Sequence, residues 1–208
     1  MDFKTIVQPE DRDFFEALPL YQEAFPPEEQ QSIETLKERI RSPQGRFIIA
    51  KEKGKVLALA VLWDLSDCSY TLLEYFAVHQ NCRGNGTGSR FLEHLIQLSL
   101  ENKRSLVAEV EDPQIGTNKT QRQKRINFYT KKGFQPIPNL ESYVPSQNGK
   151  EPTKILLLVH SKTNNRSYPT EEIKQLVRAI FREIYNLSED QKLVQKVIST
   201  ITNSKQNG

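Results

Sequence analysis

The seven residues from Arg83 to Ser89 constrain this chain more than any other segment. They read Arg-Gly-Asn-Gly-Thr-Gly-Ser and lie between an apolar run at 72–78 and a segment at 91–98 whose apolar residues have helical spacing. Without Cβ atoms at its three glycines, the loop can turn sharply and approach a ligand closely. The free N–H groups and partial positive charge of a helix N-terminus attract phosphate, and Arg83 adds a cation. The segment therefore predicts a site for a phosphorylated cofactor.

Two common phosphate-binding motifs fit this loop poorly. A Walker loop requires a lysine after its last glycine, and Ser89 follows Gly88 here. A dinucleotide fingerprint requires Gly or Ala at position 89 and should open its domain, whereas some seventy residues with their own strand and helix signals come first. Glu109, about twenty residues downstream, keeps a dinucleotide as a weak alternative because an acidic residue there could bind a ribose.

Composition limits the classes of protein that the chain can represent. Its 208 residues are enough for one well-buried domain and an appendage. A net charge of +3 is too weak to predict nucleic-acid binding, and no apolar run is long enough to span a membrane. The two cysteines, Cys68 and Cys82, and the three scattered histidines show no metal-ligand spacing, so no metal is expected. The N-terminus lacks the apolar core of a signal peptide, and we expect a cytoplasmic protein.

Hydrophobic periodicity and turn signals predict an alternating order of strands and helices. The predicted order is β-α-α-β-β-β-α-β-α-β-β, with Lys53-Gly54-Lys55 as a hairpin turn, a strand at 70–78 and a helix at 86–101. Ser32 is expected to begin a helix, Pro26-Pro27 to end one, and Gly133 to cap another. The pattern favours an α/β (α+β) class with a sheet flanked by helices.

The C-terminal part carries a separate helical signal. After a polar linker at 161–168, apolar residues from Ile173 to Tyr185 repeat at i, i+3, i+4 and i+7, and Ser188 to Gln191 resembles a capping box for a further helix. We therefore divide the chain into a domain at 1–160, the linker, and a helical hairpin extension at 169–208. The apolar stripe must be covered by its own domain, by a second copy in a homodimer, or by a partner.

Three motifs together resemble the GNAT superfamily of N-acetyltransferases. Arg83-x-x-Gly86-x-Gly88 matches the acetyl-CoA pyrophosphate loop of that superfamily. The run 75–79 resembles its fourth strand, and Asn127-Phe128-Tyr129 with Gly133-Phe134 resembles its helix-end signature. The resemblance covers about residues 3–160 and implies a central mixed, mostly antiparallel twisted sheet flanked by helices, with acetyl-CoA as the cofactor.

The resemblance also implies a set of cofactor-binding residues. The pyrophosphate would lie on the loop, and backbone N–H groups near Ala77 and Val78 would hold the acetyl carbonyl if the fourth strand carries its usual bulge. The residues implied are Phe76, Ala77, Val78, Arg83, Gly84, Asn85, Gly86, Thr87, Gly88, Ser89 and Asn127.

Glu74 and Tyr129 are the candidate catalytic residues. Glu74 interrupts an apolar strand just before the loop, where burial would raise its pKa toward that of a useful base. It could equally pair with a nearby Arg or Lys, but the resemblance supports a role as general base. The resemblance places Tyr129 as the acid that protonates the coenzyme A thiolate, whereas its helical position alone also fits a core aromatic.

Other charged residues allow more than one interpretation. Glu109 and Glu111 share one face of a strand and could bind a cationic acceptor or face solvent. The basic stretch from Lys119 to Lys132 could meet the 3′-phosphate of coenzyme A, attract an acidic partner, or form a solvated helix face. Because the superfamily transfers the acetyl group directly, Cys82 is interpreted as a packing residue.

The sequence thus predicts an acetyl-CoA-dependent N-acetyltransferase in which a primary amine of a small molecule or peptide attacks the thioester directly. Neither nucleic acid nor membrane is expected as a partner, and a homodimer is left open. The alternatives are a GNAT-fold sensor that binds an acyl-CoA without turnover, or an interaction protein that acts through its C-terminal helices. The acceptor itself is not predicted.

Overall fold

A computed structural model describes residues 1–116, 118–145, 151–160 and 168–201. The chain divides into two compact units, residues 1–64 with 71–104, and residues 65–70 with 105–208. Each unit has its own strands and helices, and each is described by itself.

The first unit contains four strands and three α-helices. They are β1 Asp2–Ile6, α1 Arg12–Ala24, α2 Ile33–Arg41, β2 Gly45–Glu52, β3 Lys55–Asp64, β4 Tyr70–Val78, whose first residue belongs to the second unit, and α3 Thr87–Glu101. The strands follow the order β1-β2-β3-β4, and every neighbouring pair is antiparallel. Strand β4 therefore brings the segment before the glycine loop into the same sheet as the β2–β3 hairpin.

The turn and cap signals of this unit act as predicted. Lys53 and Gly54 both have positive φ, 49° and 78°, which the tight β2–β3 hairpin requires. The Ser32 hydroxyl accepts a hydrogen bond from the Thr35 N–H at 3.0 Å and caps α2. Helix α1 ends at Ala24, before the proline pair. These predicted boundaries are confirmed. Each of them depends on interactions between residues that are only a few positions apart in the sequence.

Helices cover both faces of the first unit's sheet. Tyr75 and Ala77 of β4 belong to a buried cluster with α1 and α2 residues such as Phe14 and Leu36. Phe76, between them on the strand, stacks on Phe91 of α3 with ring centroids 5.7 Å apart. Because side chains alternate along a strand, α1 and α2 lie on one face and α3 on the other.

In its described residues, the second unit contains four strands and three helices. They are β5 Ser105–Glu111, α4 Lys119–Thr130, β6 Phe134–Pro136, β7 Ser142–Val144, β8 Thr153–His160, α5 Thr170–Glu183 and α6 Lys192–Thr200. Strand β8 pairs antiparallel with β5, β6 and β7. Helix α4 has Lys131 as its C-cap, and the predicted cap Gly133, with φ 84°, instead closes the next turn through a 3.0 Å bond from its N–H to the Thr130 carbonyl. The α/β (α+β) class with antiparallel pairing is confirmed, with one more short strand after α4 than the predicted order contains.

The apolar stripe of α5 is buried within the chain. Its residues Ile173, Leu176, Val177, Ala179, Ile180 and Phe181 are all buried. Both ends of the helix are held by hydrogen bonds, from the Tyr70 hydroxyl to Glu172 and from the Ser66 N–H to Glu183, the latter at 3.1 Å. The helix therefore packs on its own chain. Residues 161–167 of the predicted linker at 161–168 lie outside the described residues, and the domain division stays a prediction.

The capping box predicted at Ser188 is wrong. Helix α6 begins at Lys192, and the Ser188 hydroxyl donates to the Asp190 carboxylate at 2.5 Å. The Gln191 N–H bonds to the Ser188 carbonyl at 3.2 Å, which closes a turn before the helix. A local side-chain bond in the turn has replaced the cap, because Ser and Asp compete for such bonds.

Candidate functional site

The glycine loop has the backbone conformation that its sequence predicts. Gly84 and Gly86 have φ of 80° and 78°, a region that L side chains rarely adopt. A Cβ built on either residue meets no atom within 4 Å. Glycine is therefore required here by conformation, and the space above the loop is open for a ligand.

The loop presents N–H groups and a cation on the same segment. Helix α3 begins at Thr87, and its first intrahelical bond joins the Arg90 N–H to the Gly86 carbonyl at 3.0 Å. The N–H groups of Thr87, Gly88 and Ser89 thus precede the first helical bond and have no acceptor within the helix. The exposed Arg83 side chain is held near the strand by a 2.9 Å bond from Nε to the Val78 carbonyl. This arrangement fits a phosphate or pyrophosphate group.

The bulge in β4 lies at Glu74. Val61 pairs with Tyr75 and Leu62 with Leu73, so Glu74 is the extra residue in the β3–β4 ladder. From Tyr75 to Val78 the register with β3 is unbroken. The expected irregularity of the fourth strand is therefore present, but it begins three residues before Ala77.

The bulge turns Glu74 toward the face of the sheet that α2 covers. Gln31 Nε2 donates to Glu74 Oε1 at 2.5 Å, and Arg39 Nη2 donates to the same oxygen at 3.0 Å. Only 5% of the Glu74 side chain is exposed. Burial raises the pKa of Glu74, as the apolar strand predicts, while Arg39 and Gln31 oppose that rise. The predicted ion pair with an arginine is also present, with Arg39.

Aromatic side chains form the wall beside Glu74. The ring of Tyr75 lies 4.9 Å from that of Tyr21 and 4.8 Å from that of Phe25, both in edge-on geometry. The Tyr75 hydroxyl donates to the Glu29 carbonyl at 2.7 Å. Burial raises the pKa of both tyrosines, so both phenols stay neutral near pH 7.

Helix α4 of the second unit carries Asn127 and Tyr129 on different faces. Tyr129 is buried between Phe128 and Phe134, each with a ring centroid 5.2 Å away, and burial raises its pKa to about 12. Its hydroxyl is therefore protonated at neutral pH, as an acid must be. Asn127 lies at a shallow depression of about 370 Å³ whose other lining residues are Pro113, Lys119, Thr120, Gln123 and Lys124.

Two of the basic residues on α4 are already engaged. Arg122 forms an ion pair with Glu111 at 2.6 Å, and Arg125 lies 3.7 Å from the same carboxylate. Lys119 and Lys124 are exposed at the depression. These two lysines are thus available to an anion, whereas Arg122 is committed to Glu111.

The acidic side chains of β5 already have hydrogen-bond partners within the chain and are not free to bind an acetyl acceptor. Glu109 accepts a 2.5 Å hydrogen bond from the Tyr185 hydroxyl, and Glu111 is bound by Arg122. Within the described residues, no three His, Cys, Asp or Glu side chains are grouped as a metal site requires.

Sequence reasoning missed Gln31 and Arg39. Both precede the glycine loop by more than forty residues, and Arg39 resembles an ordinary solvent-facing helix residue. Its side chain is instead only 11% exposed and lies over the Trp63 ring, 4.2 Å from the centroid. The one indication in the sequence was Glu74 itself, because a carboxylate within an apolar strand needs a hydrogen-bonding partner.

Comparison with known proteins agrees with this fold. The family model described as acetyltransferase (GNAT) domain matches residues 43–136, a span that contains every candidate site residue from Glu74 to Tyr129. No curated protein sequence matches the chain significantly.

Three solved structures illustrate the likeness. A GNAT-family acetyltransferase structure from Bacteroides thetaiotaomicron is 26% identical, with a TM-score of 0.73 over 90% of this chain and all of that one. The ribosomal-protein-S18-alanine N-acetyltransferase of Escherichia coli is 23% identical, with a TM-score of 0.56 over 80% of this chain and 98% of that one. A GNAT-family acetyltransferase from Elizabethkingia anophelis with acetyl-CoA bound is 18% identical, with a TM-score of 0.54 over 77% and 97%.

The GNAT fold is thereby confirmed, and residues 43–136 match the acetyltransferase domain that defines this class of acyltransferases. In the part of the chain that the structure describes, no helix has the length and apolar character to cross a membrane.

Proposed function

We propose that this protein is an N-acetyltransferase that moves the acetyl group of acetyl-CoA to a primary amine by direct attack. The observation that carries the proposal is the open Gly84–Ser89 loop at the N-terminus of α3, with Gly84 and Gly86 in left-handed conformation and Arg83 beside them. This loop would hold the pyrophosphate, with Phe76, Ala77 and Val78 along the preceding strand and Asn127 on α4 as further contacts. Acetyl-CoA supplies the thioester and, with it, the acetyl group.

Glu74 and Tyr129 are proposed to move the protons. A lysine-like amine with a pKa of about 10.4 is almost wholly an ammonium at pH 7 and cannot attack in that form. Glu74 takes one proton from it, directly or through water, and the freed lone pair forms the C–N bond while the C–S bond breaks with its electrons on sulfur. The nitrogen releases its second proton to water as the amide forms, and Tyr129 donates one to the thiolate and regains it from solvent.

The first test is calorimetric titration with acetyl-CoA, coenzyme A and NADH. Gly86→Glu places a carboxylate in the loop and should weaken binding of both coenzyme A ligands at least about 100-fold, roughly 2.7 kcal/mol. Gly54→Glu is the matched control, because Gly54 has the same φ of 78° and equally open surroundings, but lies in the β2–β3 hairpin. Binding of NADH alone would instead support the dinucleotide alternative, and the proposal would be abandoned.

The second test measures thiol release from acetyl-CoA with a panel of primary amines. The panel contains spermidine, free lysine, an aminoglycoside and a peptide with an unblocked N-terminus, since the acceptor is not assigned. Glu74→Gln and Tyr129→Phe should each reduce turnover by about 10²–10⁴ while coenzyme A binding is retained.

One observation favours the non-catalytic sensor as the second candidate. Glu74 is buried and tied to Arg39, which is also how a purely structural carboxylate would be held. Tight binding of acetyl-CoA without turnover of any panel amine, together with unchanged behaviour of both variants, would select the sensor.

A further inference from the structure

The carboxylate of Glu74 is bound asymmetrically. Gln31 and Arg39 both donate to Oε1, at 2.5 and 3.0 Å. Within the described residues, Oε2 is buried and has no hydrogen-bond partner. A buried carboxylate oxygen left without a partner is uncommon because it loses its hydration without replacement. Among the described residues, Gln31 Oε1 and Arg39 Nε are also buried without a partner, so Oε2 lies in a small cluster of unpaired polar atoms.

The backbone that carries Gln31 and the side chain of Arg39 each make further contacts. The Gln31 N–H donates to the Tyr21 hydroxyl at 2.8 Å, and the neighbouring Gln30 side chain bonds to the Phe25 carbonyl at 2.7 Å. The Arg39 guanidinium carbon lies over the Trp63 ring, 4.2 Å from its centroid. From these positions, both donors bind the same oxygen of Glu74, Oε1.

We propose that Gln31 and Arg39 are positioning residues that occupy Oε1 of Glu74 and so leave Oε2 as the single oxygen that accepts the ammonium proton. This inference rests on the proposed function, and it adds which atom receives the proton and what selects that atom. The proton moves from nitrogen to Oε2, and the nitrogen lone pair thereby becomes available for attack on the acetyl carbonyl. The two donors contact Glu74 and act through it.

Burial raises the pKa of Glu74, and the Arg39 guanidinium opposes that rise. The titratable groups that interact with Glu74 are Arg39 from α2, Tyr21 from α1 and Tyr75 from its own strand. Both phenols are neutral between pH 5 and 9, since burial raises their pKa values, and Trp63 from β3 does not titrate. The Arg39 guanidinium is thus the one charge among these groups that favours the carboxylate over the buried neutral acid.

The test follows the titration of Glu74 by NMR of protein labelled with ¹³C at glutamate carboxyl carbons. The Glu74 resonance is identified by its loss in Glu74→Gln. Arg39→Met should raise the measured pKa of Glu74 by about 1–3, and Arg39→Lys, which keeps the charge, should raise it less. Gln31→Met should raise it by a smaller amount. If Arg39→Met does not fold, Arg39→Lys and Gln31→Met still give a measurable shift.

Arg46→Met is the matched control, because Arg46 forms a similarly buried pair with Asp64 in the same unit. It should lower stability but leave the Glu74 pKa unchanged. The pH dependence of kcat/KM is measured with the panel amine that has the highest turnover. The pKa of its acidic limb should rise with Arg39→Met and not with Arg46→Met. A Glu74 pKa that is indifferent to Arg39, or an acidic limb that does not follow it, overturns the inference.

These outcomes are separable from failure of the proposed function. The NMR titration requires neither acetyl-CoA nor an acceptor. Absence of acetyl-CoA binding or turnover refutes the acetyltransferase proposal, and with it the inference that Oε2 is the proton acceptor, even where Arg39 governs the pKa. Normal turnover with an unmoved pKa refutes the positioning role alone.

Discussion

Replacement of Gly45 by alanine tests the contact that holds α2 against β2. A Cβ built on Gly45 lies 2.0 Å from the carbonyl oxygen of Arg39 and 2.8 Å from its carbonyl carbon. Both atoms belong to the backbone, so neither can rotate away. Gly45 is absent from the glycines with positive φ, and the expected effect is therefore purely steric.

The magnitude follows from how far the backbone must move. Non-bonded carbon and oxygen atoms need a separation of roughly 3.2 Å, so α2 or the start of β2 must shift by about 1 Å in a close-packed region. Overpacking typically costs 1–3 kcal/mol, and because backbone must move we expect the upper end, about 3 kcal/mol. At this chain length, that corresponds to a loss of roughly 6–12 °C in Tm.

Urea denaturation followed by circular dichroism measures the change in the free energy of unfolding. Gly54→Ala is the control, because its Cβ meets nothing within 4 Å and only its φ of 78° is unfavourable, which costs about 1–2 kcal/mol. If Gly45→Ala loses no more stability than Gly54→Ala, the close approach of α2 and β2 is refuted.

Three further predictions address other parts of the molecule. Tyr129→Phe should keep the fold. Because burial raises the Tyr129 pKa to about 12, this tyrosine stays protonated below about pH 10, and wild-type turnover should not fall in that range through its ionisation. Phe181→Ala should destabilise the protein by about 3–5 kcal/mol in urea denaturation, because Phe181 is 2% exposed, whereas Phe15→Ala, at a side chain 49% exposed, should cost under about 1 kcal/mol. Hydrogen bonds from Lys4 and Lys51 lower the pKa of Asp13 in the folded protein. The ionised Asp13 therefore stabilises the fold above the ordinary pKa of 3.8, and this stabilisation is lost as the pH falls through the lower pKa of the folded state. The stability difference between wild type and Asp13→Asn should therefore shrink below about pH 4, and a constant difference would contradict the pairing.

The elements were predictable where their signals lie within one turn or loop. Ser32 caps α2 through a bond to a residue three positions away, and the Lys53-Gly54 turn needs only two residues with positive φ. The predicted Ser188 cap was wrong although its signal was also local. The Ser188 side chain bonds to Asp190 in a turn instead, and the sequence alone does not show whether the capping bond or the turn bond forms.

The sequence by itself determined the Gly84–Ser89 loop, since no residue but glycine readily takes its backbone conformation, and it singled out Glu74 as a polar residue in an apolar strand. Tertiary structure alone decided what Glu74 meets. Gln31 and Arg39 lie 43 and 35 residues away along the chain, and the bulge that turns Glu74 toward them is a property of the β3–β4 register. Strand alternation cannot locate an extra residue, because the position of a bulge depends on how both strands pack against the helices. The sequence therefore supplied the residue type, and the fold decided which oxygen of its carboxylate is hydrogen-bonded.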